Sequence, residues 1–490
     1  MARKKKPLPT LENIQIEKFA AEGKTATRVK LKPEDETAIV LFVPYAVPGD
    51  IVDVRITKKK HSYAEGQIER IISPSPLRTE PKCMHFGVCG GCKWQQMVYS
   101  AQAQCKGEQV EQTLRRIGKI ELPEIKPIIA AENCWDYRNK MEYTFSNKKW
   151  RTKEELESGA PFEDSSNALG FHIAGSFDKV LQIDQCLLQI NLGNRIRNFI
   201  YEYAMKKGLS FYDIKNNSGL LRNLIIRTTS TGETMLIIVF GEREDNELSP
   251  SKRDLIEAVK SKFEEITSLG YVINTKLNDS IADQNVVIVK GKDYITEKME
   301  NLQFRINPKS FYQTNSIQAY RLYSVARSFA SLDRKIPEEE KPIVYDLYTG
   351  AGTIANFIAS NARKVIGIEY IEEAVKDARE NSKINNITNT EFFAGDMKDV
   401  LTSEFIAEHG KPDIMIVDPP RAGMHPDVVK VIMESAPPAI VYISCNPATQ
   451  ARDLQLMNEM YEVTDVQPVD MFPQTQHVEN VVKLRLKNPL

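Results

Sequence analysis

The sequence predicts a multidomain chain with a small N-terminal β-barrel of OB type and a central α+β domain with a four-cysteine metal cluster. A C-terminal α/β domain of Rossmann-like, doubly wound character follows. Three observations predict this. Strand and helix patterns alternate from about residue 307 onward, short alternating strands with turn signals fill residues 9–73, and three cysteines crowd into ten residues between them. At 490 residues the chain exceeds what one core can serve, and its 42% apolar content argues against wholesale disorder. The expected division is a basic tail at 1–8, the barrel at 9–73, the central domain at 74–306 and the α/β domain at 307–490.

Net charge is −1, so nothing global announces a nucleic-acid binder. The sign is uneven, however. Residues 1–32 carry Arg3, Lys4, Lys5, Lys6, Lys18, Lys24, Arg28, Lys30 and Lys32 against three acidic residues. Such an arm is either a phosphate-binding element or a solvated tail. The first residues, Met-Ala-Arg-Lys-Lys-Lys-Pro, lack the apolar region of a secretory signal, and the apolar run Ala38–Val47 is too short to span a bilayer and is broken by Pro44. A cytoplasmic protein with no membrane association is expected, and no protein partner is evident.

In the barrel region, Ala38–Val43, Ile51–Ile56 and Ala64–Ile72 read as strands, with Val47-Pro48-Gly49-Asp50 as a turn and a basic run at Lys58–His61. A small barrel with a basic loop either holds nucleic acid or caps the next domain. Ser73-Pro74-Ser75-Pro76 is a linker.

Cys83, Cys89 and Cys92 follow, with Gly90-Gly91 between the last two. Thiolates suit a soft cation, and glycines let backbone amides turn close to sulfur. Three thiolates leave one ligand missing, and Cys186, after the strand Lys179–Ile183, is the best placed fourth. Iron–sulfur and zinc both accept four thiolates, so the residues alone leave the two level. Cys105 and Cys134 remain as spares.

The central region carries a helix at Ala101–Ile117, cations at Arg138 and Lys140, a polar loop at 147–167 and a strand at Gly219–Thr228. On that strand Arg222 and Arg227 are five apart, so a regular strand puts them on opposite faces unless a bulge intervenes.

In the α/β domain, Thr314–Leu332 is an amphipathic helix. Strands follow at Ile343–Tyr348, Lys364–Tyr370, Thr390–Asp396, Asp413–Pro420 and Ala439–Cys445, with helices at Thr353–Asn361 and Ile371–Asn385. Tyr461–Phe472 and Val478–Leu486 form an antiparallel closing pair. In such sheets ligands sit beyond the carboxyl ends of the strands. Asp346 to Thr353 is a glycine-rich loop at a helix start, and Glu369 lies 23 residues after Asp346, where a carboxylate accepts ribose hydroxyls. Asp396 ends the third strand, placed to meet an adenine edge. Gly350-x-Gly352-x-x-Ala355 also satisfies a loose dinucleotide fingerprint, so the loop alone leaves a nicotinamide cofactor open. Asp418-Pro419-Pro420-Arg421 decides against it, because a rigid acidic turn suits a planar base edge and a hydride-transfer site has no need for one.

Asp-Pro-Pro-Arg, then Ile443-Ser444-Cys445-Asn446-Pro447, with Phe311-x-Gln313 before the sheet and His477-Val478-Glu479 after it, resembles the RNA 5-methyluridine methyltransferases. The N-terminal module resembles a TRAM domain. Cys83, Cys89, Cys92 and Cys186 resemble the [4Fe-4S] ligands of members acting on 23S rRNA. Tyr348-Thr349 and Thr353 depart from the more usual Phe-Cys and Asn. The resemblance implies methyl transfer from S-adenosylmethionine to uridine C5 in RNA, with Cys445 as nucleophile, Glu479 as base, and Gln313, Tyr348, Thr353, Glu369, Asp396 and Asp418 at the cofactor. Base flipping follows. The alternatives are a tRNA-directed relative and an RNA-binding assembly factor without catalysis. A thiol with a pKa of about 8.5 is expected to need local lowering to act.

Overall fold

The computed structural model describes residues 8–32, 34–158, 166–242 and 248–487. Most of the expected basic tail, and part of the polar loop at 147–167, lie outside the described residues. Residue contacts divide the chain into two units, the first comprising 1–106 and 472–477, the second 107–471 and 478–490.

The first unit holds a six-stranded sheet. The expected strands are present as Ile39–Val43, Ile51–Lys59 and Tyr63–Ser73, joined by Thr10–Gln15, Lys18–Phe19 and Thr25–Val29. The last three escape a sequence reading because their apolar residues alternate with charge over very short lengths. Leu41, Val43, Val52, Val54 and Ala64 fill the core. Gly66 is required there, since a Cβ would stand 2.3 Å from Val54. Asp50 closes the turn by accepting the N–H groups of Val47 and Ser75 at 2.7 and 2.8 Å.

In the second unit, a seven-stranded sheet runs in the order Val286–Gly291, Ser268–Ile273, Thr234–Phe240, Leu221–Thr228, Lys140–Ser146, Ala168–Ile173, Ser176–Gln182. Helices Asn191–Lys207 and Pro250–Lys262 supply Ile196, Ile200, Leu255 and Val259 to its core. The strand bearing Arg222 does carry an irregularity, between Leu221 and Asn223. Arg222 is nevertheless buried and consumed internally, donating to the carbonyls of Asn274 and Lys276 and pairing with Asp279 at 3.0 Å.

The same unit contains the α/β sheet. Its strands are β1 (Ile343–Leu347), β2 (Lys364–Glu369), β3 (Thr390–Ala394), β4 (Ile414–Val417), β5 (Ala439–Ser444), β6 (Tyr461–Val469) and β7 (Glu479–Leu486), in the order β3-β2-β1-β4-β5-β7-β6. The first five are parallel, while β7 runs antiparallel to both neighbours. The expected closing pair is therefore present, with the last strand inserted between β5 and β6. Strands end one to three residues earlier than the apolar runs suggest, because Tyr348, Asp418 and Cys445 belong to rim loops.

The connecting helices include α1 (Ser316–Phe329), α2 (Thr353–Ile358), α3 (Glu372–Ile384), α4 (Pro426–Ser435) and α5 (Pro447–Met457). α1 starts two residues later than its periodicity predicts, because Asn315 caps it by accepting the N–H of Gln318. Tyr345 and Tyr442 are buried in the sheet, their hydroxyls donating to the Gly410 carbonyl and to Asp453 at 2.8 and 2.7 Å. Among the described residues, no helix is long and apolar enough to cross a membrane.

Candidate active site

The sheet reverses its order of connection between β1 and β4, and a crevice at such a point is where ligands bind. On one side the loop after β1 packs three left-handed residues into five positions, with φ of 64° at Tyr348, 55° at Gly350 and 73° at Gly352. Strain at a non-glycine residue marks a functional turn. A Cβ at Gly352 would stand 2.8 Å from Ala378, so that glycine is a packing requirement. Gly350 has nothing within 4 Å of the same point, so its backbone faces open space. Glu369 holds the loop by accepting the N–H of Gly350 at 3.1 Å and that of Ile371 at 2.9 Å.

Asp346 lies fully buried beneath the loop, accepting from the Thr349 hydroxyl at 2.5 Å and the Ala355 N–H at 3.0 Å. Its other oxygen has no partner. Burial, with Glu369 adding, pushes its pKa up to about 7. A buried carboxyl with one vacant oxygen under an open glycine loop fits a ligand that brings a donor or a positive charge. Tyr348 is pushed up to about 12 by burial and by Asp396, Asp453 and Glu369. Asp396 also caps the short helix after β3 by accepting the Lys398 N–H at 3.3 Å. Thr353 is buried in the first turn of α2 and, among the described residues, shares no hydrogen bond with the others.

On the other side stand Cys445 and Glu479. Ser444 pairs with Asn480 across β5 and β7, so the residues just beyond that pair emerge at one rim. Gln450 of α5 fastens the seam, donating to the carbonyls of Tyr442 and Asn480 at 3.0 and 3.3 Å and accepting from the Asn480 side chain at 2.8 Å. Asn446 caps α5, and Pro447 opens it.

The Asp418–Arg421 turn is strapped to α5 itself. The Arg421 carbonyl accepts from Asn446 at 3.1 Å and Thr449 at 3.3 Å, and the Arg452 guanidinium donates to the carbonyls of Ala422 and Met424, each at 3.1 Å. Cys445, two residues before α5, and the turn are thus tied to one helix.

The electrostatics follow from this crowding. Cys445 is pushed up to about 11 by burial, then by Glu479 and Asp418, with Arg421 opposing. Glu479 is buried and driven well above the usual carboxylate range by that burial and by Asp418. Asp418 is half-buried as a residue, yet its carboxyl is enclosed, and burial with the nearby Asp346 raises it to about 7. The expected lowering of the thiol is therefore not a property of the protein alone, because the groups around it are mostly acidic.

Gln313 reaches the site from the loop before α1. It hydrogen-bonds Tyr323 of α1, whose buried phenol is raised by burial and by Asp418. Asn139 holds this loop by donating to the Gln313 carbonyl at 3.0 Å. Tyr323, Arg421 and Asp346 belong to the site and were not among the sequence candidates. Arg421 stands inside the motif that gave Asp418, whereas Tyr323 occupies an ordinary core position of an amphipathic helix and leaves no local signal.

The cysteines are distributed between the units. Cys83, Cys89 and Cys92 lie in the first, where Gly87 and Gly90 take φ of 85° and 77°. Cys89 and Cys92 both act on the phenol of Tyr45, which burial and these two sulfurs raise. Cys186 lies in the second unit, its backbone clamped by Asn194, which accepts its N–H at 2.8 Å and donates to its carbonyl at 3.1 Å. Cys89 stands between the two left-handed glycines, and Cys92 follows two positions beyond the second. Among the described residues, no three or more His, Cys, Asp or Glu side chains are grouped as a metal site.

Residues 228–487 match the family described as tRNA (uracil-5-)-methyltransferase, and residues 13–68 match the TRAM domain. An uncharacterized RNA methyltransferase of Bacteroides thetaiotaomicron is 55% identical over 469 residues, covering 96% of this chain and 100% of the relative. One from Porphyromonas gingivalis is 51% identical over 477 residues, covering 96% and 99%. Among solved structures, the Pyrococcus abyssi tRNA (uracil-54, C5)-methyltransferase in complex with S-adenosyl-L-homocysteine is similar, with a TM-score of 0.69 and 26% identity across 96% of this chain and 100% of that one.

Proposed function

This chain belongs to the RNA uracil-5-methyltransferase family, carries a TRAM domain and uses S-adenosylmethionine, and from that premise we propose that it methylates C5 of a uridine in 23S rRNA through a covalent adduct on Cys445. One observation carries the mechanism: the antiparallel β5–β7 seam delivers Cys445 and Glu479 to the same rim, beside the Asp418 turn and across from the glycine loop.

The Cys445 thiolate adds to uracil C6, and the C5=C6 electrons pass to C5. S-adenosylmethionine, when bound, supplies the methyl group and leaves as S-adenosylhomocysteine. Glu479 then removes the C5 proton, the pair from that C–H bond reforms C5=C6, and the S–C6 bond breaks to return the thiolate. Glu479 is enclosed and raised, so it is a strong base once ionised. Gln313, Tyr348, Thr353, Glu369, Asp396 and Asp418 are assigned to the cofactor, with Asp346 beneath the loop, and Asp418 also reaches the uracil. Among the described residues Arg421 is the cation that opposes the acidic groups around Cys445, and the bound ligands supply the remaining stabilisation of the thiolate.

The 23S assignment rests on the cysteine pattern joined to the TRAM module. A tRNA-directed reading is favoured by the archaeal tRNA enzyme, whose fold covers nearly the whole chain. Mapping 5-methyluridine in rRNA and tRNA from a deletion strain against its parent separates them. Loss at a 23S position is expected, loss in tRNA moves the assignment, and no loss in either defeats both. Methylation of RNA by Cys445→Ala protein would defeat the covalent mechanism.

The same reading places a [4Fe-4S] cluster on Cys83, Cys89 and Cys92, with Cys186 as the fourth ligand on the sequence resemblance alone. Four thiolates would hold the iron and keep the cluster's charge local. Anaerobically purified protein should absorb in the visible; a colourless protein containing zinc would refute this. The protein is placed in the cytoplasm with its RNA.

A further inference from the structure

A group of cations in the second unit has no counterpart in the site described above. Arg227 and Lys140 are cross-strand partners, on Leu221–Thr228 and Lys140–Ser146. Like charges directly opposite on a sheet are destabilising. Lys140 is held below its usual range by burial and by Arg227 and Arg138, with only Glu142 opposing. Arg227 is 4% exposed, is lowered to about 10 by burial, and has an Nε with no hydrogen-bond partner. Among the described residues, Arg138, Lys140 and Arg227 form no ion pair; Glu142 acts on both Lys140 and Arg227, and Arg138 Nε donates to the Lys140 carbonyl at 3.2 Å. Like charge is therefore concentrated here with Glu142 as the opposing carboxylate among the described residues.

The position of the group gives the reason. Arg227 donates to the Ser310 carbonyl at 2.6 Å, and Asn139, between Arg138 and Lys140, donates to the Gln313 carbonyl and to Ser316. The loop between them exposes Phe311, at 70%, and turns Gln313 toward Tyr323 and the reacting edge. Asp377 of α3 anchors the same loop through Asn307 and Ser310 at 2.6 and 2.5 Å. The cations thus sit directly behind the segment that leads into the site.

We propose that Arg138, Lys140 and Arg227 form a phosphate site for the RNA strand, gripping the backbone next to the uridine that enters beside Cys445. The half-buried Lys140 and Arg138 make the contacts, and the buried Arg227 raises the local positive potential. The inference rests on RNA being the substrate and adds where its backbone is held.

The test uses the full chain, a fluorescein-labelled uridine-containing single-stranded RNA oligonucleotide, and anisotropy titrations over a range of KCl. Lys140→Gln and Arg138→Gln should each weaken binding about tenfold whatever the sequence, and reduce the slope of log affinity against log salt by about 0.7. S-adenosylhomocysteine affinity and the thermal midpoint should stay at wild-type values, and Lys430→Gln, on exposed α4, should leave the slope unchanged. Unchanged slopes in both site variants would overturn the phosphate site, as would a parallel loss of cofactor affinity or thermal stability, which would mark a structural role. Absence of oligonucleotide binding by the wild type would overturn it too. Transfer of labelled methyl to total RNA by the wild type is scored separately: if it persists with unchanged slopes, only the phosphate site falls; if it is absent, the methyltransferase reading falls.

Discussion

Cys445 and Glu479 are neighbours because Ser444 and Asn480 are paired across an antiparallel seam, although 34 positions separate them in the chain. A parallel β7 would have carried residue 479 to the opposite end of the sheet. The direction of one strand is what brings the Glu479 carboxyl and the Cys445 thiol together.

Removing the base should therefore separate the two halves of the reaction. On the proposed mechanism, Glu479→Gln protein retains the thiol that adds to C6 and loses the group that takes the C5 proton. Turnover should fall by roughly 10²–10⁴-fold. Methylated RNA should accumulate bound to the protein and survive denaturing gel electrophoresis. If turnover collapses without an adduct, proton removal belongs to another group.

The raised thiol makes a pH prediction. With its pKa pushed up to about 11, Cys445 in the ligand-free protein should react with iodoacetamide at pH 8 roughly a hundredfold more slowly than an ordinary thiol. Asp418→Asn removes one nearby anion and should speed alkylation, while Arg421→Gln removes the opposing cation and should slow it. Peptide-resolved mass spectrometry reads the rates, and the reverse order would invalidate the electrostatic account.

Buried carboxyls also set the pH dependence of stability. Asp346 rises from 3.8 to about 7 on folding, so between those values the native state binds the extra proton. Its stabilising contribution is complete below about pH 4 and is lost as pH rises through 7. Asp418 acts in the same direction. From pH 5.5 to 8 the ligand-free protein should lose about 2 kcal/mol through Asp346 alone. Urea midpoints measure this, and Asp346→Asn should flatten the profile. A profile that rises over this range, or is unaltered by the substitution, contradicts the assignment.

Gly350 separates cofactor binding from folding. Alanine there meets no atom within 4 Å but must adopt a φ of 55°, which costs roughly 1–2 kcal/mol. Gly350→Ala should remain folded with a modestly lower melting temperature, while S-adenosylhomocysteine affinity measured by calorimetry drops more than tenfold. Unchanged affinity would show that the ligand does not approach this turn.

How much of this was legible follows from where the signals lie. β1 to β5 and the antiparallel pair can be read because each is an apolar run ending at a polar rim residue, and Asp418, Cys445 and Glu369 fall at those ends. Thr10–Gln15, Lys18–Phe19 and Thr25–Val29 were missed because short, charge-interrupted strands leave little periodicity. Tyr323 could not be found from sequence, since its role comes from Gln313 and Asp418, which only the fold brings near it. The strand bearing Arg222 and Arg227 exposed the limit of a facing argument. A bulge would let both arginines share a face, and the strand is irregular between Leu221 and Asn223, yet Arg222 spends its donors on two carbonyls and Asp279.

The insertion of β7 between β5 and β6 also orders events during synthesis. Residue 445 leaves the ribosome before residue 479, so a growing chain presents the Cys445 thiol before the Glu479 carboxyl. Until the final strand arrives, β5 keeps an unpaired edge and the thiol has no partner across it. One late strand addition closes the sheet and brings Glu479 beside Cys445 in the same event.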